Sequence, residues 1–166
     1  MHESSTSAED RGDRWVVAQF VLMGLVLVAG WLPPGWPGWV DWVLPALGAV
    51  ASLLGVLLAV WAWRTLDRAA TPYPRPREGG RLIDTGPYAY VRHPIYSAGL
   101  LFFVGYAFAT SPAALVPLVA LAVLWRNKAA LEEELLERRY PGYRDYRARV
   151  PGAFIPRPSS ASASAD

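Results

Sequence analysis

The sequence contains no cysteine and only two histidines among its 166 residues. The absence of cysteine excludes a disulfide framework, a thiolate metal site and a cysteine nucleophile. His2 belongs to a polar N-terminal stretch, which leaves His93 as the one histidine suited to a site, so no histidine pair has metal-ligand spacing. We therefore predict no metal site. There is also no G-x-G-x-x-G motif after a strand-like run and no P-loop, so a soluble dinucleotide-binding fold is not indicated.

Charged side chains are scarce as well. They make up 18% of the chain, whereas 53% of the residues are hydrophobic and eight Trp and eight Tyr are present. A soluble domain of this length is normally more polar, and Trp and Tyr accumulate at membrane interfaces. The composition therefore indicates an integral membrane protein.

The apolar residues form four blocks, at residues 15–32, 43–63, 95–109 and 112–125. The first two blocks are close to the roughly 20 residues that cross the hydrocarbon core as a helix. The last two are shorter and are separated by the turn-like residues 110–112. They form either a hairpin of two short spans or a pair that enters the membrane without crossing it.

The distribution of basic residues favours full crossing. All 16 Lys and Arg lie before the first block, between the second and third, or after the fourth, and residues 33–42 and 110–112 contain none. Four spans with both termini in the cytoplasm satisfy the positive-inside rule at every segment, whereas three or five spans would place a basic segment outside. We predict an all-α integral membrane fold with about four transmembrane helices, in which a cytoplasmic loop and a C-terminal helical segment form the site.

The predicted organisation is a single membrane domain over residues 15–158. We expect residues 1–14 to be a disordered cytoplasmic N-terminus and residues 159–166 to be a disordered tail of small residues. Arginine outnumbers lysine fifteen to one, which suggests a GC-rich bacterial genome. We therefore expect a multi-pass protein of the bacterial inner membrane.

The first cytoplasmic segment carries two candidate residues beside a predicted helix start. Pro94 fits the first turn of a helix, where its missing N–H is not needed. Arg92 and His93 then lie beside the positive end of the helix dipole, a location that favours an anion. The alternative is that both side chains are interfacial caps that contact lipid headgroups.

The second cytoplasmic segment carries three adjacent carboxylates and the only lysine. Glu132, Glu133 and Glu134 span about 200° of a helix circumference, so at least one of them points toward the protein. The alternative is a solvated helix face. Lys128 lies one turn before Glu132 and shares its face, although a lone lysine in an arginine-rich chain can also arise by chance.

The stretch LIDTGPYAYVRHPIY at residues 82–96 resembles the signature of the isoprenylcysteine carboxyl methyltransferase family, which belongs with the membrane phospholipid methyltransferases. A second signature follows in the expected order, comprising Glu132, Glu133, Leu136, Tyr140, Pro141, Tyr143, Tyr146, Val150, Pro151, Ile155 and Pro156. Members that act on prenylcysteine tend to have arginine at the position of Lys128 and Phe-Gly in place of Tyr140-Pro141. These departures leave the methyl acceptor open.

The resemblance implies an S-adenosylmethionine site between the membrane helices and the cytoplasmic segments. The matched positions for cofactor binding are Arg81, Leu82, Ile83, Tyr88, His93, Pro94, Ile95, Tyr96 and Glu132. The expected catalytic residues are Lys128, Arg92 and Glu133. The expected reaction is methyl transfer to a lipidic or isoprenoid-type carboxylate, amine or thiol at the cytoplasmic face. An amine or thiol needs a base, for which Glu133 and His93 are candidates. The expected partners are the bilayer and this acceptor, and no nucleic acid.

Two alternatives remain open from the sequence. Membrane sterol and isoprenoid reductases have a related Arg-His-Pro-x-Tyr signature and use NADPH, but they are usually longer and end differently. The other alternative is a non-enzymatic membrane module that retains the signature for structure alone.

Overall fold

The computed structural model describes residues 3–66 and 82–158, with side chains from residue 14 onward in the first of these segments. These residues form helices and no strand, in agreement with the predicted all-α class. The α-helices are α1 (Glu3–Ala29), α2 (Val43–Leu66), α3 (Pro94–Ala109), α4 (Leu115–Arg139) and α5 (Tyr143–Arg149). Short 3₁₀ turns cover Gly86–Ala89 and Pro112–Ala114.

Two of the described helices are long and apolar enough to cross a membrane. They are Val43–Leu66 and the continuous helical stretch Pro112–Arg139, whereas the apolar helices Arg14–Ala29 and Pro94–Ala109 are shorter. On α2, Leu53, Leu54 and Leu57 are each more than half exposed. A contiguous apolar surface of this kind suits contact with lipid rather than with water.

Helix α2 packs along α3 at unusually short range because small residues face each other. A Cβ atom added at Gly55 would lie 2.6 Å from the backbone nitrogen of Phe102, and one added at Gly105 would lie 2.5 Å from the carbonyl oxygen of Gly48. Ser52 adds a hydrogen bond from its hydroxyl to the Phe102 carbonyl at 3.1 Å. Small residues are the usual means by which membrane helices approach closely.

Helix α1 packs against α4, and hydrogen bonds link the loop after α1 to the turn before α4. Val26 of α1 and Leu121 of α4 are fully buried in the shared apolar cluster. The Ser111 hydroxyl is within hydrogen-bonding distance of the Leu32 and Pro34 carbonyls, at 2.7 and 2.8 Å. The predicted turn at residues 110–112 is therefore both a chain reversal and a contact point for the loop after α1.

The C-terminal segment folds back onto the start of α3. Residues 150–158 contain no regular secondary structure. The backbone N–H groups of Arg92 and His93 donate to the carbonyls of Gly152 and Ala153 at 3.0 and 2.9 Å. The Ser97 hydroxyl lies 2.7 Å from the Phe154 carbonyl. These hydrogen bonds within the protein hold the residues at the start of α3 in place.

The described structure differs from the sequence prediction at the N-terminus. Helix α1 begins at Glu3, whereas the sequence analysis expected residues 1–14 to be disordered and the helix to start at residue 15. The polar stretch contains no proline, and extending an existing helix is far easier than nucleating one. The predicted tail at 159–166 lies outside the described residues, as do residues 67–81 of the cytoplasmic loop predicted between the second and third apolar blocks.

Candidate active site

The two signature segments meet at the junction of α3, α4 and α5. Pro94 occupies the first turn of α3, as predicted, and His93 is the residue that precedes it. Helix α4 continues without interruption to Arg139, so Lys128, Glu132 and Glu133 lie on the part of α4 that extends past the last apolar residue of the predicted span, Trp125.

Glu133 is the centre of a buried ion-pair network. Its Oε1 atom accepts from Arg92 Nε at 2.8 Å and lies 3.1 Å from His93 Nε2. The Arg92 Nη1 group also donates to the Val150 carbonyl at 2.7 Å. The anion that Arg92 and His93 attract at the start of α3 is therefore a carboxylate of the protein itself.

Glu132 faces a different set of partners. Its Oε1 atom accepts from the Tyr96 hydroxyl at 2.6 Å, and its Oε2 atom lies 3.5 Å from His93 Nδ1. The His93 ring is thus held between two carboxylates, one at each ring nitrogen. Glu134, the third glutamate, is exposed. Of the three candidates, two turn inward and one is solvated.

The pKa directions follow from these contacts. Burial lowers the pKa of His93, but the hydrogen bonds and charges of Glu132 and Glu133 outweigh burial and raise this pKa above its usual value. Burial raises the pKa of Glu133, but hydrogen bonds from His93 and Arg92 together with their charges bring it well below its usual value. The geometry therefore favours a protonated, positively charged His93 beside an ionised Glu133.

Aromatic rings continue the site from His93 into the helix bundle. The rings of His93 and Tyr96 stack at 5.6 Å between centroids, and those of Tyr96 and Trp125 stack at 5.5 Å. Phe154 meets the Tyr96 ring edge-on at 6.1 Å. Stacking of this type fixes ring orientation and contributes about 0.5–1.5 kcal/mol per pair beyond area burial.

A cavity of about 590 Å³ adjoins this network. Helices α1, α2, α3 and α4 all contribute to its wall, which is mostly apolar and includes a few polar groups. Its volume lies within the range of about 300–1,000 Å³ that is typical of small-molecule sites. A mostly apolar cavity with a few convergent polar groups is the usual form of a binding site.

Lys128 lines this cavity and is almost completely buried. Its Nζ atom donates to Gln19 Oε1 of α1 at 2.8 Å, across 109 positions of sequence. The same Nζ atom lies 5.7 Å from the centroid of the Tyr96 ring. The lysine is thus held by two helices other than its own.

Most of the predicted site residues lie together. Those that line the cavity are Tyr88, Arg92, His93, Pro94, Ile95, Tyr96, Lys128 and Glu132. Glu133 contacts Nε2 of His93 and does not itself line the cavity. Leu82 packs on the cluster of Tyr143, Tyr146 and Val150 rather than on the cavity. Ile83 is half-buried and is not among the cavity-lining residues of the described segments. Arg81 lies outside the described residues.

Sequence reasoning missed Gln19, Trp125 and Phe154. Gln19 had a detectable signal, because it is the only polar side chain in the first apolar block. A buried amide in an apolar helix needs a partner, and here Lys128 is that partner. Trp125 and Phe154 had no such signal, since aromatic residues are common both in cores and at membrane interfaces.

Comparison of the sequence with known proteins identifies the family of the chain. A sequence model of the phospholipid methyltransferase family matches residues 43–142, which spans α2 to α4 and both sides of the carboxylate network. The chain belongs to this family of membrane methyltransferases, and the resemblance inferred from the two signatures is confirmed. Helix α1 lies outside the matched residues.

Two curated relatives extend the match. The nickel-cobalt-cadmium resistance protein NccN of Alcaligenes xylosoxydans xylosoxydans is 35% identical over 141 residues, covering 82% of this chain and 62% of the relative. The cobalt-zinc-cadmium resistance protein CzcN of Cupriavidus metallidurans is 34% identical over 144 residues, covering 86% of this chain and 61% of the relative. The chain thus spans about three fifths of the length of each relative.

Proposed function

We propose that this chain is an S-adenosylmethionine-dependent methyltransferase that acts on a lipidic or isoprenoid-type acceptor at the cytoplasmic face of a membrane. The observation that carries the proposal is the convergence of both signatures on one cavity: Tyr96 and His93 of the first contact Glu132 of the second. Membership of a methyltransferase family supports the reaction class.

The residues around the cavity fit this cofactor. S-Adenosylmethionine carries a sulfonium and an ammonium cation, together with ribose hydroxyls, and when bound it supplies an electrophilic methyl group. Glu132 is ionisable, partly exposed at the cavity wall and aligned by Tyr96, so it suits a hydroxyl or a cation. We assign cofactor holding to Glu132, Tyr96, His93 and Tyr88, with the other matched positions as their support.

The remaining polar residues position these groups. Glu133 holds the His93 ring and Arg92 holds Glu133. The low pKa of Glu133 makes it a poor proton acceptor. We therefore treat Arg92 and Glu133 as positioning residues. A protonated His93 cannot accept a proton either, so neither candidate base for an amine or thiol acceptor is retained. Methyl transfer depends chiefly on alignment and on exclusion of water, which a mostly apolar cavity favours.

For the membrane arrangement we propose four spans with both termini in the cytoplasm. The four apolar helices and the confinement of basic residues to alternate segments support this topology. It places the carboxylate network at the cytoplasmic surface and the apolar part of the cavity within the bilayer. A lipidic acceptor then enters laterally, and the water-soluble cofactor enters from the cytoplasm.

The names of the two relatives refer to resistance to metal ions. We propose family chemistry rather than metal binding for this chain, because Glu132 is the only carboxylate among the described residues that line the cavity. Glu133 pairs with Arg92 and His93, and Glu132 accepts from Tyr96.

The test is calorimetric titration of the purified protein with S-adenosylhomocysteine and, separately, with NADPH. We expect the first ligand alone to bind, and its affinity to fall at least tenfold in His93→Ala and Glu132→Ala. Glu134→Ala is the matched control, because this neighbouring glutamate is exposed. Unchanged affinity in both site variants, or binding of NADPH instead, would overturn the assignment. Transfer of label from methyl-labelled S-adenosylmethionine into extracted lipid tests the acceptor class.

A further inference from the structure

The cavity ends inside the helix bundle at a wall of apolar residues. On each helix, the lining residue nearest to the turn at 110–112 is Met23 of α1, Gly55 of α2, Phe103 of α3 and Trp125 of α4. We call these four residues the deep end of the cavity. All four helices contribute to it, and none of the four residues is ionisable.

The bundle is filled beyond the deep end, on the side toward residues 110–112. Val26, Leu118 and Leu121 are at most 5% exposed and belong to one apolar cluster together with Phe103 and Trp125. A close-packed interior has no space for an additional methylene group. A hydrocarbon chain that extends along the cavity into the bundle therefore stops at the rings of Phe103 and Trp125.

The absence of a side chain at Gly99 makes room for the Trp125 ring. A Cβ atom added at Gly99 would lie 2.6 Å from Cη2 and 2.9 Å from Cζ3 of Trp125. The indole also stacks on Tyr96, with 5.5 Å between ring centroids, and lies tilted against Phe103 at 6.4 Å. The ring therefore reaches from α4 to the backbone of α3, and its neighbours hold it there.

We propose that Trp125, packed against Gly99, is a specificity-determining residue that limits the length of the hydrocarbon chain that the acceptor places in the cavity. The inference rests on the proposed function, because it assigns the deep end to the apolar part of the acceptor. Burial of apolar surface stabilises a chain at this position, and no charged group of the deep end opposes it. A smaller side chain at position 125 would leave space for a longer chain.

The test measures the binding of uncharged linear 1-alkanols, from octanol to hexadecanol. Their apparent affinities are obtained from the concentration dependence of the unfolding temperature of the purified protein in detergent, referred to the free aqueous concentration of each alcohol. In the native protein we expect each added methylene to tighten binding about fourfold until the chain reaches Trp125, and to add nothing beyond that length. A gain that continues through the whole series would show that the chain leaves the cavity between helices. That result, or no binding of any alcohol, would overturn the proposal.

Variants on both sides of the contact separate length selection from packing. Trp125→Leu breaks no hydrogen bond, because the indole N–H has no partner among the described residues, and we expect the length limit to move to a longer alcohol. Gly99→Ala adds a methyl group to the cavity wall and displaces the ring, so we expect the limit to move to a shorter alcohol. A purely structural role would change all affinities by one factor and leave the limit in place, which would contradict the proposal.

A third variant and two controls complete the series. Trp125→Phe keeps an aromatic ring beside Tyr96, and a longer limit is expected there even if Trp125→Leu does not fold. Trp61→Leu makes the same change as Trp125→Leu at a half-exposed tryptophan that is not among the lining residues. Gly24→Ala adds a methyl group where no atom lies within 4 Å. Both controls should keep the native limit, and a shifted limit in either would contradict a specific role of the Trp125–Gly99 contact.

Binding of S-adenosylhomocysteine to the native protein separates this proposal from the preceding one. If this ligand binds but the alcohols show no length limit, the role of Trp125 is wrong and the proposed function stands. If this ligand does not bind but the length limit is present and moves in the Trp125 variants, the proposed function is wrong and the deep end still selects chain length.

Discussion

At the scale of single residues, Glu132 and Glu133 show how two adjacent and identical side chains take on different roles. Their side chains project about 100° apart on α4, so one faces Tyr96 and the cavity while the other faces Arg92. His93 contacts both. The identity of the residues could be predicted from the signature, but their division between cavity and support could not.

The hydrogen bond from Tyr96 to Glu132 provides a direct test of this division. Tyr96→Phe keeps the ring and its stacking on His93 and Trp125 but removes the 2.6 Å bond to the carboxylate. A hydrogen bond to a charged group contributes about 1.5–3 kcal/mol, so we expect S-adenosylhomocysteine affinity to fall roughly tenfold or more. Titration calorimetry measures the change, and Tyr90→Phe, which alters a largely exposed tyrosine, is the control. Equal affinities in both variants would contradict a role for this bond in binding.

The pKa directions at the carboxylate network predict a pH dependence of stability. Glu133 has a folded-state pKa below its usual 4.5, so its contribution is present above pH 4.5 and is lost as pH falls through the lowered pKa. His93 has a folded-state pKa above its usual 6.5, so its contribution is present below pH 6.5 and is lost as pH rises through the raised pKa. Both contributions are therefore present between about pH 4.5 and 6.5.

The substitution Glu133→Gln tests this pH window. We expect the variant to be less stable than the native protein by about 3 kcal/mol within it, because Arg92 and His93 lose a buried partner. Thermal unfolding in detergent across a pH series should show the difference shrinking toward acid and, in part, toward alkaline pH, since Arg92 still pairs with Glu133 when His93 is neutral. A difference that does not vary with pH would show that the network does not titrate in this way.

At the scale of secondary-structure elements, the ends of the helices follow from local chemistry. Pro94 starts α3, Pro112 lies in the turn before α4, and residues 141–142 end α4, as the positions of these proline and glycine residues predict. The start of α1 at Glu3 was not predicted, because a polar stretch without proline is compatible with either helix or disorder. Because α4 is long, this one helix carries both part of the apolar wall of the cavity and several polar residues of the site.

The close approach of α2 and α3 depends on glycine. Gly105→Ala places a methyl group about 2.5 Å from the Gly48 carbonyl oxygen, so the helices must separate. We expect a loss of about 1–3 kcal/mol, typical of overpacking, measured as a lower unfolding temperature. Gly24→Ala makes the same chemical change on α1 where no atom lies within 4 Å, and it should be neutral or slightly stabilising. Equal effects of the two substitutions would argue against tight packing at Gly105.

At the scale of the whole molecule, the proposed four-span topology can be tested because the sequence has no cysteine. Single cysteines at Gly38, Ala113 and Gly142 mark the loop after α1, the turn before α4 and the turn after α4. An added side chain at Gly38 or Gly142 meets no atom within 4 Å. In intact spheroplasts we expect an impermeant maleimide to label Gly38→Cys and Ala113→Cys, and to label Gly142→Cys only after permeabilisation.

The Ala113→Cys result decides whether α3 and α4 cross the membrane. The 16 residues of α3 extend about 24 Å, which is shorter than the roughly 30 Å hydrocarbon core. Protection of Ala113→Cys together with labelling of Gly38→Cys would indicate a hairpin that enters and returns. Labelling of Gly142→Cys without permeabilisation would contradict the cytoplasmic position of the site.

The sequence by itself determined the helical class, the apolar segments, the helix ends marked by proline and glycine, and the residues that form the two signatures, because each depends on composition or on neighbours within a few positions. The tertiary structure alone decided which side chains meet: Gln19 with Lys128, Phe154 with Tyr96, and His93 with both glutamates. These pairs lie between 39 and 109 positions apart, and their contact depends on which helix faces pack together. Local propensity and periodicity place a residue on a helix face, but only the packing of that face against another determines its partner.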